Sequence, residues 1–225
     1  MRTTIIAAAL TIVSLGFASN GSAQDIDISD VTSIEINIAC NLTVVQGINP
    51  SIVIDGNDED VANIELIKRN KKLTVKSYKR NQRKQDISVT IEVKNLETLA
   101  LSGAVDVESI DMLEFENFRM SVSGVASGEM SLTGKRFDLD CSGVCNLDFE
   151  GKYDELEINV SGVGNINASE LAARKADVSN SGVGKVSVLA IDHLKASVSG
   201  VGSISYAGNP EINTSVSGLG RIRRY

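Results

Sequence analysis

The stretch Val160-Ser161-Gly162-Val163-Gly164-Asn165-Ile166 recurs in varied form along the last 125 residues of this 225-residue chain. Seven Ser-Gly dipeptides stand at this position of the repeat, at successive intervals of 21, 19, 19, 20, 18 and 18 residues. A fixed period of this length indicates one supersecondary unit stacked on copies of itself. The seven dipeptides are Ser102-Gly103, Ser123-Gly124, Ser142-Gly143, Ser161-Gly162, Ser181-Gly182, Ser199-Gly200 and Ser217-Gly218.

Alignment of the copies on the serine produces columns of similar residues. The positions one before, two after and five after the serine are mostly Val, Ile or Leu. Short β-branched runs bounded by glycine are typical of strands, and columns in register indicate parallel coils that rise about 4.8 Å per rung. The sequence therefore predicts an all-β protein, a single-domain parallel β-helix with 18 to 21 residues per coil. Parallel connections favour a right-handed winding.

The Ser-Gly column is predicted to be a structural corner of this solenoid. Glycine reaches a positive φ without a Cβ penalty, so it suits a sharp turn. The serines are expected to form a ladder of hydroxyl groups along the stack. A catalytic serine has no reason to occur seven times, so we expect no catalysis at this column.

The rest of the chain divides into two parts. Residues 1–23 resemble a secretory signal peptide, with a basic residue, an apolar run and small residues before the cleavage point. We therefore expect export to the periplasm, the extracellular space or the outer surface. Residues 24–225 are predicted to form one domain, in which 30–98 are less regular and 99–225 hold the repeats. The segment from Ile36 to Leu42 resembles a degenerate first copy.

The net charge and the cysteine and histidine content of the chain argue against several kinds of partner and site. The formal net charge is −7, which argues against nucleic acid as a partner. Three cysteines in an exported chain leave at least one thiol unpaired. Cys141 and Cys145 flank one corner; we interpret them as small buried side chains, with a local disulfide as the alternative. A single histidine, His193, argues against a zinc site and against a catalytic triad.

The repeat phrase and several other short segments, taken in their order along the chain, resemble the bacterial family described as putative auto-transporter adhesin, head GIN domain. The resemblance covers residues 33–222 and rests on the tandem Ser-Gly-Val-Gly-x-Ile phrases, on Ile204 to Pro210, on Leu42 to Gly47 and on Lys72 to Val75. It implies an exported β-helical domain and, more weakly, adhesion. The second and third copies depart from the pattern, because Ala126 and Cys145 replace the second glycine.

Two charged clusters are candidate sites. Glu108, Glu129 and Asp148 share one column and are expected to stack about 4.8 Å apart. Oxygen-only ligands suit Ca²⁺, and the alternative is a solvated acidic stripe. A basic run is predicted to form a hairpin that binds anionic polysaccharide or lipid headgroups, or that protects a sheet edge from pairing. Its members are Lys68, Arg69, Lys71, Lys72, Lys76, Lys79, Arg80, Arg83 and Lys84.

The function that the sequence favours is recognition without catalysis. We expect an exported binding or adhesion module of the bacterial envelope, which presents a rigid stacked surface to a glycan, lipid or protein partner and has no transmembrane segment. One alternative is a carbohydrate-active β-helix, a lyase or hydrolase, with carboxylates at the acidic end of the stack. Another is a structural envelope protein that associates with itself end to end.

Overall fold

The computed structural model describes residues 26–78 and 87–225. The predicted signal peptide, and Lys79, Arg80, Arg83 and Lys84 of the basic run, lie outside the described residues. The strands are β1 (Ser33–Ile36), β2 (Cys40–Gln46), β3 (Ser51–Asp55), β4 (Ile64–Arg69), β5 (Lys72–Ser77), β6 (Ser88–Val93), β7 (Thr98–Leu101), β8 (Ala104–Ile110), β9 (Leu113–Glu114), β10 (Asn117–Val122), β11 (Val125–Cys141), β12 (Val144–Val160), β13 (Val163–Asn180), β14 (Val183–Val198), β15 (Val201–Ala207), β16 (Glu211–Val216) and β17 (Arg221–Arg224). One short helix, α1 (Asp58–Val61), is present in the described part of the chain.

The strands stack as parallel coils with two broad faces that meet at the Ser-Gly corner. Face A consists of the strand segments that end just before the corner serine. Face B consists of the segments that begin just after the corner glycine. The strands β11 to β14 are 16 to 18 residues long because each begins on face B and continues without interruption onto face A of the next corner. Val125 pairs with Val144 and Val144 with Val163, each in parallel register at the repeat interval. The predicted parallel β-solenoid is confirmed.

Inward-facing columns form one continuous apolar core. Leu139, for example, is buried between Met120 of the preceding coil and Ile158 of the following one. Burying such a side chain stabilises the fold by about 1.5–3 kcal/mol, and in a solenoid each side chain also packs on both neighbouring rungs. The apolar column positions of the repeat are therefore explained by this stacking.

The corner glycines serve a different purpose from the one predicted. The positive-φ glycines of the described chain are Gly128, Gly151, Gly184 and Gly208, and none of these is a corner glycine. A Cβ on Gly162 would instead lie 2.0 Å from the carbonyl oxygen of Gly143 in the preceding coil. That oxygen accepts the N–H of Val163 at 2.9 Å. Glycine is required because backbones approach closely here, and the conformational explanation is wrong.

The corner serines do not form a regular ladder of hydroxyl groups, because Ser142 and Ser181 donate to carbonyl oxygens of the preceding coil. Ser123 donates to the hydroxyl of Ser102 at 3.1 Å. Ser142 donates to the carbonyl oxygen of Val122 at 3.2 Å. The serine hydroxyls therefore contact the preceding coil mainly through main-chain carbonyl oxygens rather than through one chain of hydroxyl groups.

The first coils stack in an order different from their order in the chain. β1 lies between β5 and β7, and β2 lies between β6 and β8. Along the chain, β5 and β6 stack on one side of β1 and β2, and β7 and β8 then stack on the other side. Antiparallel β3 on β6 and β4 on β5 cover this end of the stack. At the other end, β16 and β17 have no partner on their outer edges among the described strands.

Cys141 and Cys145 form a disulfide across their corner, which corrects the interpretation that favoured two unlinked buried side chains. The residue before the serine and the residue three after it both point inwards and face each other. A Cβ on Gly164, for example, would lie 2.9 Å from Cγ1 of Val160. Cys40 is free and buried, and burial raises the pKa of its thiol to about 12.

Gly162→Ala is expected to lower the free energy of unfolding by about 1–3 kcal/mol, because the new methyl group overlaps a carbonyl oxygen that cannot move without breaking the stack. Chemical denaturation measures this change. Ser161→Ala at the neighbouring exposed position is the matched control and should shift stability by no more than about 0.5 kcal/mol. An unchanged Gly162→Ala protein would contradict the close-approach explanation.

Alkylation of the denatured, unreduced protein is expected to label one thiol, that of Cys40, whereas reduction exposes all 3 cysteines. The folded protein should resist labelling, because Cys40 is buried and its pKa of about 12 leaves little thiolate at neutral pH. Intact mass spectrometry counts the labels. Three labels before reduction would show that the corner is not bridged.

Candidate functional site

A groove crosses the later coils of face B and encloses about 510 Å³. Two outward-facing columns run along it in register, four and six residues after each serine. The first column contains Asn146, Asn165, Lys185, Ser203 and Arg221. The second contains Asp148, Asn167, Ser187, Ser205 and Arg223. Each step between coils is about 4.8 Å, so the columns offer regularly spaced polar groups.

Amides dominate the first half of the groove. The side chains of Asn146 and Asn165 are exposed and have no hydrogen-bond partner among the described residues. Asn167 donates to Asp148 at 2.7 Å and accepts from the hydroxyl of Ser169 at 2.7 Å. The first column is therefore available to a ligand, whereas Asn167 is held in place within the second.

The second half of the groove buries two hydroxyl groups. Ser187 and Ser205 retain 6% and 2% of their accessible surface, although the same column is exposed in earlier coils. The hydroxyl oxygen of Ser205 is buried and has no hydrogen-bond partner among the described residues. A buried polar group without a partner costs about 1–3 kcal/mol, so this atom is a candidate ligand contact.

Among the described residues, the cations of the groove lack the ion pairs that cations of face A form. Lys185, Arg221 and Arg223 form no ion pair with any described residue. On face A, Arg136 pairs with Glu157 at 2.5 Å, and Lys195 pairs with Asp177 at 2.7 Å. Charges on face A are therefore compensated between neighbouring coils, and those at the end of face B are available to a ligand.

An apolar ridge borders the groove at the Ser-Gly corner. The residues two after the serine are about half exposed in successive coils, from 45% for Val144 to 53% for Val201. Beside this ridge, Val201, Leu219 and Arg221 line a second hollow of about 460 Å³. Face B thus places apolar side chains directly next to polar columns.

The acidic column is in register as the sequence suggests, with Glu129 between Glu108 and Asp148. Glu108 accepts a hydrogen bond from Thr43 at 2.9 Å. Across residues 26–78 and 87–225, no three Asp, Glu, His or Cys side chains are grouped so that they could hold a metal ion. Binding of Ca²⁺ at Glu108, Glu129 and Asp148 stays a prediction from the sequence.

The described part of the basic run, up to Lys76, lies on a hairpin of β4 and β5 that turns at Asn70, whose φ is 53°. Lys68 pairs with Asp30 at 2.5 Å, Lys72 with Glu35 at 2.7 Å and Lys76 with Glu65 at 2.8 Å. The hydrogen bond from Lys72 lowers the pKa of Glu35, so this pair stays charged at neutral pH. Arg69 and Lys71 form no ion pair with described residues. Ligand binding by the run stays a prediction, and much of its described charge is already compensated.

The sequence interpretation expects contacts along the stacked columns, but among the residues of the groove it names Asp148 alone as a site residue. The columns are visible in the sequence, but the largest charge clusters lie elsewhere, at Lys68 to Lys84 and in the acidic coils. The available signal was the replacement of acids by Asn and Ser in the middle coils. The burial of Ser205 has no such signal in the sequence.

The family model described as putative auto-transporter adhesin, head GIN domain, matches residues 30–210. A putative adhesin from Bacteroides fragilis has a similar crystal structure, with 28% identity, a TM-score of 0.80 and coverage of 87% of this chain and 93% of that one. A putative lipid binding protein from Parabacteroides distasonis has 21% identity, a TM-score of 0.67 and coverage of 89% and 94%.

A putative adhesin from Parabacteroides distasonis is also similar, at 18% identity and a TM-score of 0.69, with coverage of 89% of this chain and 94% of that one. The two Parabacteroides structures support the fold alone. Among curated proteins, none is significantly similar to this chain. Within the described residues, no helix is long and apolar enough to cross a membrane.

Proposed function

The chain belongs to the putative auto-transporter adhesin, head GIN domain family, and from this premise we propose that it is an exported adhesion-type module that binds an extended glycan along the groove of face B. The observation that carries the proposal is the row of unpartnered polar side chains in that groove. Asn146 and Asn165 follow one another in a single column, one per coil. A polymer with hydroxyl groups at regular intervals can hydrogen-bond to each in turn.

The apolar ridge supports a glycan over a more uniformly polar ligand. Sugar rings present hydroxyl groups at their edges and C–H groups on their faces, so they suit a surface that combines both kinds of contact. Val163, Val183 and Val201 lie two residues before Asn165, Lys185 and Ser203 in their coils. The ridge and the polar column therefore run side by side at the same spacing.

The scaffold supports binding with little loss of conformational entropy. The groove residues lie on strands that pair on both sides through β14, and their backbones are held before any ligand arrives. Preorganised sites avoid part of the cost of ordering side chains and loops on association. A stacked, rigid surface is consistent with an adhesive role.

A lipid ligand is less well supported. The lipid-binding name belongs to the Parabacteroides distasonis protein, which shares 21% identity with this chain. The lining of the groove consists mainly of amide, hydroxyl and charged side chains, whereas a lipid chain requires an enclosed apolar cavity. The polar lining favours a glycan.

A carbohydrate-active enzyme is also less well supported. Glycoside hydrolases of the usual kind use a pair of carboxyl groups across the scissile bond. Asp148 is the single carboxylate side chain that lines the groove in the described part of the chain, and it accepts a hydrogen bond from Asn167. The names of the family and of the Bacteroides fragilis relative likewise indicate adhesins.

Two features support export. The first is the predicted signal peptide at residues 1–23. The second is the disulfide between Cys141 and Cys145, since disulfides persist in oxidising compartments and are rare in the cytosol. End-to-end association of copies stays a prediction from the sequence.

The double variant Asn146→Ala/Asn165→Ala is expected to weaken glycan binding about tenfold, because it removes two exposed amides worth about 0.5–1.5 kcal/mol each. A glycan array identifies a binder for residues 24–225, and calorimetry then measures its affinity for wild type and variant. Asn213→Ala, an exposed amide on face A, is the matched control and should bind like wild type. Equal losses in both variants, or none in the groove variant, would contradict the assignment to face B.

A further inference from the structure

The last coils of the groove combine three features that point to one kind of ligand group. Ser205 pairs with Ser187 on one side and with Arg223 on the other, so the three lie on consecutive rungs. Lys185 lies two residues before Ser187 on the same outward face of β14. Two cations therefore flank a buried hydroxyl from the coils on either side of it.

The hydroxyl of Ser205 lacks a partner that the fold could supply. The residue is 2% exposed, lines the groove, and its oxygen has no hydrogen-bond partner among the described residues. A hydroxyl can donate one hydrogen bond, and the strongest acceptors are charged oxygens. An anionic ligand oxygen would satisfy this atom.

The electrostatics of this end also favour an anion. Lys185 and Arg223 form no ion pair with described residues, and Arg221 adds a third positive charge in the same strand as Arg223. The carboxylate of the groove, Asp148, lies two rungs from Ser187 and four from Arg223, which corresponds to about 10 and 19 Å. At physiological ionic strength the Debye length is about 8 Å, so Asp148 compensates these cations little.

We propose that Lys185, Ser205 and Arg223 form an oxyanion subsite that selects glycans carrying carboxylate or sulfate groups. The inference rests on the proposed glycan function and names the class of glycan. The two cations provide charge-assisted hydrogen bonds, and the Ser205 hydroxyl donates a third. The amide half of the groove binds the sugar backbone irrespective of its charge.

The test compares three probes on the same protein. These are an oligogalacturonate, its fully methyl-esterified form, which has the same backbone without charge, and a sulfated oligosaccharide. Wild type is expected to bind at least one charged probe about tenfold more tightly than the methyl ester. Lys185→Gln/Arg223→Gln should abolish this preference and retain binding of the methyl ester. Ser205→Ala, a smaller change at a packed position, should reduce the preference several-fold.

Lys175→Gln/Lys195→Gln removes the same charge from face A and is the matched control, expected to keep the preference of wild type. Unfolding midpoints verify that each variant is folded. A preference for the uronate or for the sulfated probe identifies which anion the subsite accepts. Equal binding of charged and neutral probes by wild type would overturn the subsite and leave the glycan function standing.

A separate probe distinguishes failure of the subsite from failure of the glycan function. Sodium galacturonate and sodium sulfate are titrated into isotope-labelled protein, and amide shifts are followed by NMR. Saturable shifts at Ser205 that disappear in Lys185→Gln/Arg223→Gln support the subsite even where no polymer binds. The absence of such shifts, with no polymer bound, would overturn both proposals.

Discussion

The contact between consecutive Ser-Gly corners is the interaction on which the rest of the structure depends. At each corner the glycine carbonyl accepts the N–H of the residue that follows the glycine in the next coil, as between Gly143 and Val163. This hydrogen bond requires an approach that excludes a Cβ, since one on Gly162 would lie 2.0 Å from the accepting oxygen. Because the contact repeats in every coil, it fixes the register of all the columns that extend from the corner.

Fixed register has opposite consequences inside and outside the solenoid. Inside, each apolar side chain stacks on similar ones, so a column such as Met120, Leu139 and Ile158 packs continuously. Outside, equivalent positions also lie one rung apart, where like charges repel. Face A meets this constraint in part by alternating signs, as in the column Arg136, Glu155 and Lys175, in which Glu155 pairs with both cations. The end of face B leaves its cations uncompensated, and a ligand that supplies the opposite charge would relieve the repulsion.

The features predictable from the sequence are those that repeat locally. The coil length, the parallel register and the apolar columns are all encoded in the spacing of the Ser-Gly phrase. The stacking order of the first coils is not, because Ile34 of β1 pairs with Leu73 and with Leu99, and all three strands have the same apolar alternation. The disulfide likewise depends on two side chains turning inwards across a corner, which spacing alone does not determine.

The two basic regions of the chain show why charge density in a sequence is a poor guide to a binding site. The run from Lys68 to Lys84 is the densest, yet Lys68, Lys72 and Lys76 each have a carboxylate partner in the fold. Lys185 and Arg223 are 38 residues apart and inconspicuous in the sequence, but the coils bring them to either side of Ser205. What a ligand encounters is the charge and hydrogen-bonding capacity left over after folding. On that criterion, the few unpartnered groups of face B matter more than the many compensated ones of the hairpin.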